Sequence, residues 1–123
     1  MPIFEAKKLD KIVTAILIAA GTPETKARAV TKLMIDANLA GHDSHGVIRI
    51  PQYLDSIMTG EIDPKAETNL VRNRKSIAVL DGNWDFGQVN MKHAVKLVIE
   101  KASMHGIGGV AVRNANHIGR LGS

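Results

Sequence analysis

Near the start of the chain the apolar residues Leu9, Ile12, Val13, Ile16, Leu17 and Ala20 recur at spacings of three and four. That spacing is the period of a single buried stripe on an α-helix, and Gly21 supplies its stop. Directly afterwards Thr22 offers an N-cap, Pro23 a first helical residue and Glu24 a charge that suits the helix dipole. A second stripe, Ala27, Val30, Leu33, Met34 and Ala37, runs toward Gly41. Residues 1–41 are therefore predicted to form a helical hairpin. A third helical stripe, Val47, Ile50, Leu54, Ile57 and Met58, stops at Gly60. If that helix starts near Val47 or Ile48, Pro51 lies in its first turn, where an N–H has no intrahelical partner to lose.

Beyond the stretch "GEIDPKAE" at 60–67, which reads as a linker, the period changes. "TNLV" and "SIAVLD" are short and branched, bounded by the polar turn "RNRK" and by the "DGN" turn at 81–83, and predict a strand hairpin. Helical spacing returns in "QVNMKHAVKLVIEKASMHG" through Met91, Ala94, Val95, Val98 and Ala102, ending at Gly106. "IGGVAVRNAN" is a branched apolar run that predicts one buried strand.

A helix between two such strands suggests a crossover unit in a mixed sheet. The expected fold class is thus α/β: an N-terminal helical region, then the start of a mixed β-sheet with a crossover helix. Gly122 and Ser123 follow the last predicted strand closely, and nothing remains to cover the second face of the sheet. The chain is therefore expected to be truncated, a fragment of something larger.

Composition narrows the function classes. With 123 residues, 45% hydrophobic and 23% charged, the chain resembles one ordinary globular domain. Aromatic residues make up only 3%, too few for base-stacking platforms. The formal charge of +4 is spread over helix faces, apart from Arg72, Arg74 and Lys75, which read as a solvated turn. No nucleic-acid partner is expected. The longest apolar run, Ala15 to Ala20, is too short to span a bilayer, and no basic-then-apolar leader pattern opens the chain. No membrane association is expected. Cysteine is absent, which removes disulfides and thiolate metal sites and suits a cytoplasmic location.

Titratable chemistry concentrates in "GHDSHGVIRIPQY", residues 41–53. His45, Arg49 and Tyr53 are spaced four apart and would line one face of a helix beginning around residue 47. An imidazole passes a proton near neutral pH, a guanidinium grips a carboxylate with two donors, and a phenol bonds a further oxygen. Together these suit a small 2-oxo or 2-hydroxy acid, with Arg49 on the carboxylate and His45 exchanging a proton with the adjacent oxygen. Ser44 would orient the imidazole, or cap the helix together with Asp43. A purely structural role fits the same residues, with Arg49 paired to Asp55 or Glu61. His42 is expected to be structural or exposed.

A second candidate is "NANHIGRLG", where Asn114, Asn116 and His117 lead from a strand into Gly119 and Gly122. Such a turn lets backbone N–H groups approach an anion, although on these residues alone a plain polar loop is the better reading. No G-x-G-x-x-G follows a strand, and "GIGG" at 106–109 precedes one, on the wrong side for a Rossmann fingerprint. No metal site is expected from His42, His45, His105 and His117, which form no H-x-x-x-H or H-E-x-x-H pair. Adjacent Ser44 and His45 are poorly placed as nucleophile and base of a hydrolase, and no G-x-S-x-G turn occurs.

Three segments, "HDSHGVIRIPQYLDSIMTGEIDP", "LDGNWDFGQV" and "HGIGGVAVRNANHIGRLG", resemble in order and spacing the N-terminal part of the type 2 malate/L-lactate dehydrogenase family. That family also contains L-sulfolactate, ureidoglycolate and delta-1-piperideine-2-carboxylate enzymes. The resemblance covers essentially the whole chain, and the family's members are much longer. It implies hydride transfer between NAD or NADP and a 2-hydroxy or related imino acid. It also implies a non-Rossmann, L-sulfolactate dehydrogenase-like fold whose active sites are completed in a homodimer.

On this resemblance the family's Ser-His pair falls on Ser44 and His45, its substrate-binding arginine on Arg49, and a pocket position on Tyr53. The cofactor-contacting turn falls on His117, Ile118, Gly119, Arg120 and Leu121. Some relatives assign the general acid/base to the histidine matching His117, so His45 and His117 both stand as candidates. Two regions are expected: 1–66, helical, with the substrate-binding motif, and 67–123, the incomplete start of the NAD(P)-binding domain. The acid supporting the histidine and most of the nicotinamide site would lie beyond Ser123, so the chain alone is expected to be inactive. Arg120 stands where many relatives carry a small residue, which leaves NAD against NADP open. A non-catalytic association module is the alternative expectation.

Overall fold

The computed structural model describes residues 3–122. Met1, Pro2 and Ser123, which fall at the ends of the expected regions, lie outside the described residues. The chain divides between Lys65 and Ala66 into two units, and the residues from Gly119 onward group with the first unit. The sequence had placed all of 67–123 in one region.

In the first unit, α1 (Ala6–Ala19) packs against α2 (Glu24–Leu39). Val13 and Leu17 on α1 and Ala27, Val30 and Met34 on α2 are buried. Both helices end in the same hydrogen-bonded motif. After α1, the Gly21 N–H reaches the Ile18 carbonyl and the Thr22 N–H reaches that of Leu17. After α2, Gly41 bonds to Asn38 and His42 to Ala37 in the same way. The glycines have φ of 95° and 78°, the left-handed geometry that this ending requires.

The start of α2 differs from expectation. Pro23, not Thr22, occupies the N-cap, without a side-chain cap bond. Thr22 is already committed to closing α1 through its N–H, and its side chain is buried.

The helix expected from Val47 is also shorter. Two short 3-10 turns, Asp43–His45 and Val47–Arg49, precede α3 (Ile50–Thr59). Pro51 has no N–H to give the Val47 carbonyl, so the α-ladder cannot extend back that far, and the chain uses i→i+3 bonds such as Arg49 N–H to Gly46 O. Ile50 and Tyr53 face the core of this unit, and Gly60 ends α3 at φ 80°.

In the second unit, β1 (Asn69–Arg74) and β2 (Ile77–Asp81) form an antiparallel hairpin. β2 pairs in parallel with β3 (Gly109–Arg113) after the crossover helix α4 (Gly87–His105), giving the mixed sheet order β1-β2-β3. The turn between β1 and β2 is only Lys75–Ser76, because Arg72, Asn73 and Arg74 join the ladder beyond a bulge between Leu70 and Arg72.

β3 is not a buried strand: Ala111 and Arg113 are exposed and the rest half-buried. It lies at one edge of the three-stranded sheet, and α4 covers one face. The register sets Asn73, Ala78 and Val110 side by side. Asn73 meets Lys101 of α4, so Ala111 and Arg113 turn to the other face.

Lys101 is the unexpected member of this layer. Only 3% of it is exposed, and its Nζ donates to Asn73 Oδ1 at 2.5 Å, to the Lys75 carbonyl at 3.0 Å and to the Arg74 carbonyl at 3.2 Å. Its aliphatic stem is buried, while its charge ties the hairpin turn to α4.

Candidate functional site

His42 completes the end of α2, and the chain turns at once into Asp43–His45. Ser44 Oγ lies 2.9 Å from His45 Nδ1, a contact that orients the half-buried imidazole. No side-chain cap bond is formed at these turns, so of the two roles expected of Ser44 the contact to the ring is the one present.

Arg49 donates from Nε to the Ser44 carbonyl at 2.7 Å and from Nη1 to Gln52 Oε1 at 2.8 Å. Neither acceptor is charged. Among the described residues Arg49 forms no ion pair with Asp55, Glu61 or any other carboxylate. A half-buried guanidinium held by neutral acceptors keeps its charge available to an incoming anion.

The continuous helix on which His45, Arg49 and Tyr53 were expected to stack does not form. His45 and Arg49 sit on separate 3-10 turns, and Tyr53 is 2% exposed on the core side of α3. Four-residue spacing aligns side chains only on a continuous α-helix, and here the α-helix begins after Arg49.

In the second unit the polar residues around His117 are mostly scaffold. Asn114, at φ 51°, donates from Nδ2 to both carboxylate oxygens of Asp81 at 3.1 and 3.2 Å. Asn116 Nδ2 donates to the Trp84 carbonyl at 2.7 Å and the Asp85 carbonyl at 3.2 Å. These side-chain amides are spent on the protein. His117, Ile118, Gly119 and Arg120 are half-buried, Leu121 is exposed, and Gly119 has φ 77°.

The platform under this segment is "DGNWDFG", residues 81–87, whose structural role the sequence reading missed. The Gly82 N–H bonds to the Arg113 carbonyl and the Trp84 N–H to that of Asn114. Asn83 and Trp84 take φ of 48° and 62°, a costly geometry for a bulky residue such as Trp84. Gly87 has no room for a side chain, since a Cβ there would strike the Asn116 and His117 carbonyl oxygens.

Asp81 is the hub. Its carboxyl is held below the ordinary carboxylate range, first by the Asn83 N–H, then by the Asn114 amide, and by Arg113, whose Nε donates at 2.8 Å. Asn83 lies two residues on, but Arg113 and Asn114 are more than thirty residues away in sequence, and no local pattern announces them.

Among the described residues no group of three or more His, Asp or Glu is arranged to hold a metal ion. No helix among them is long and apolar enough to cross a membrane.

A helical hairpin followed by a mixed sheet with a crossover helix is an architecture this chain shares with solved sulfolactate and malate dehydrogenases. The structure superposes on sulfolactate dehydrogenase from Methanocaldococcus jannaschii with a TM-score of 0.94 at 39% identity, over 98% of this chain and 35% of that one. Malate dehydrogenase from Pyrococcus horikoshii OT3 gives 0.91 at 36% identity, over 95% and 34%.

The chain belongs to the malate/L-lactate dehydrogenase family, whose sequence model matches residues 4–123. Among curated relatives, hydroxycarboxylate dehydrogenase B of Escherichia coli K12 is 41% identical over 97% of this chain and 33% of the relative. Malate dehydrogenase of Pyrococcus abyssi is 45% identical over 94% and 32%. The chain thus spans about a third of the length of these relatives.

Proposed function

We propose that this chain is the N-terminal part of an oxidoreductase that moves a hydride between NAD or NADP and a small 2-hydroxy, 2-oxo or imino acid such as malate or lactate. The observation that carries this reading is the pairing of Arg49 with the Ser44–His45 unit. Two consecutive 3-10 turns, linked by the Arg49 to Ser44 hydrogen bond, carry an imidazole oriented through Nδ1 and a guanidinium whose acceptors are neutral.

Arg49 holds the substrate carboxylate, and its charge is not already neutralised by the protein. His45 takes the hydroxyl proton as the alcohol becomes a carbonyl and returns it in the reverse direction. Ser44 sets the imidazole's orientation. His117 is the competing candidate for the proton, and Tyr53, buried, supports α3 or borders the pocket from beneath.

The turn His117, Ile118, Gly119, Arg120 and Leu121 fits the phosphate-bearing end of a dinucleotide by its donor set: a left-handed glycine that opens backbone N–H groups, and the fixed charge of Arg120. When bound, the nicotinamide ring supplies the hydride acceptor or donor. A homodimer is part of the proposal. Lack of cysteine suits the cytoplasm, where we place the enzyme.

The test is steady-state oxidation of a 2-hydroxy acid by the full-length enzyme. His45→Ala lowers kcat by roughly 10² to 10⁴ if His45 exchanges the proton. The same loss in His117→Ala with none in His45→Ala transfers the role to His117, and parent-like rates in both variants refute the reading.

A further inference from the structure

Asn38, in the last turn of α2, spends its side chain on the segment that carries His45. Its Oδ1 accepts the Val47 N–H at 2.9 Å, and its Nδ2 donates to Asp43 Oδ1 at 2.6 Å. These partners stand on either side of Ser44, His45 and Gly46, so one amide ties the beginning of the first 3-10 turn to the beginning of the second. Such turns contribute little stability of their own, since a 3-10 turn closes only a few i→i+3 bonds, whose geometry is in general poorer than that of an α-helix.

Gly46 completes the arrangement. The Asn38 amide lies against its Cα, and a Cβ at Gly46 would strike Oδ1, Cγ and Nδ2 of Asn38. Gly46 has φ −91°, which any residue can adopt, so the glycine is required for space and not for backbone freedom. Among side chains of this length only an amide offers a donor and an acceptor on one plane at neutral pH.

We propose that Asn38 is a positioning residue: its amide clamps Asp43 to Val47, and so presents His45 and Arg49 to the 2-hydroxy acid in fixed register. This rests on the reading of His45 and Arg49 as the substrate-handling pair.

Full-length enzyme carrying Asn38→Asp, Asp43→Asn, both together, or Asn38→Ala separates the possibilities, with His45→Ala and Arg49→Ala as references. Asn38→Asp keeps shape and the acceptor for Val47 but opposes two carboxylates. kcat/KM is expected to fall about a hundredfold, the size of effect that a displacement of ~1 Å produces at a reacting centre. The gap from the parent narrows as pH falls, because two touching carboxylates share a proton. Asp43→Asn alone is mild, since an amide still accepts from Asn38. The double variant restores kcat/KM toward the parent, because the amide donor and the carboxylate acceptor have merely changed places. A general loss of folding would show no such pH-dependent relief.

Asn38→Ala, which removes the clamp without repulsion, lowers kcat/KM while Tm stays near that of the parent. Parent-like kinetics in Asn38→Ala and Asn38→Asp overturn the proposal, as does an Asn38→Asp loss that Asp43→Asn fails to relieve, provided His45→Ala and Arg49→Ala are impaired. If those two references also behave like the parent, the functional reading beneath the proposal falls with it.

Discussion

Arg49 is joined to Ser44 by a 2.7 Å hydrogen bond from Nε to the main-chain carbonyl, so the guanidinium is anchored one residue away from the imidazole of His45. Truncation at this position removes both the charge and the anchor. Arg49→Ala in the full-length enzyme is expected to raise KM for the 2-hydroxy acid by an amount worth about 1.5 to 3 kcal/mol, the range for a hydrogen bond to a charged group. Arg49→Lys keeps the charge but not the planar fork that reaches Ser44, Gln52 and a ligand together, and its KM falls between the two. Steady-state titration with substrate checks both.

Gly87 governs the other candidate histidine. An added methyl at Gly87 meets backbone oxygens of Asn116 and His117, which cannot step aside as a flexible side chain would. Gly87→Ala is expected to cost about 1 to 3 kcal/mol of stability, the range for overpacking. It should weaken cofactor binding more than substrate binding, which nicotinamide fluorescence titration of the full-length enzyme reads directly.

Asp81 makes a pH prediction. Its folded-state carboxyl is shifted down by Asn83, Asn114 and Arg113, so the stabilisation is fully present above the ordinary carboxylate range and is lost as pH falls through the depressed value. Asp81→Asn removes the charge that this depends on. The Tm gap between parent and Asp81→Asn is expected to be constant near neutrality and to close below about pH 4. Thermal melts across pH give the comparison.

Lys101 is expected to behave as a structural residue despite its charge. Lys101→Met keeps most of the buried stem and deletes the donor to Asn73, Arg74 and Lys75. Acceptors left unpaired at the hairpin turn cost about 1 to 3 kcal/mol, visible as a lower denaturant midpoint with kcat unchanged.

The glycine stops at 21, 41, 60 and 106 were legible in the sequence because they act locally: each sits at positive φ directly after a helix whose apolar period had already defined it. The hairpin followed by a crossover helix was legible for the same reason, since strand and helix periods differ within a few residues. The error at Val47 came from treating that period as sufficient. Pro51 withholds an N–H, and the apolar spacing of Val47 and Ile50 carries no trace of the 3-10 turn that results.

Residue types alone determined that the chain holds an imidazole, a hydroxyl and a guanidinium close together, and the order of its motifs determined the family. Only the tertiary structure decided that Ser44 faces His45, that Arg49 has neutral partners, that Tyr53 turns inward, and that Asn38 and Asp81 brace the two histidine-bearing segments. The reason is range. A period or a cap is written in the nearest four residues, whereas Asn38 reaches Val47 across nine positions and Asp81 reaches Asn114 across thirty-three, through space that exists only once the chain has folded.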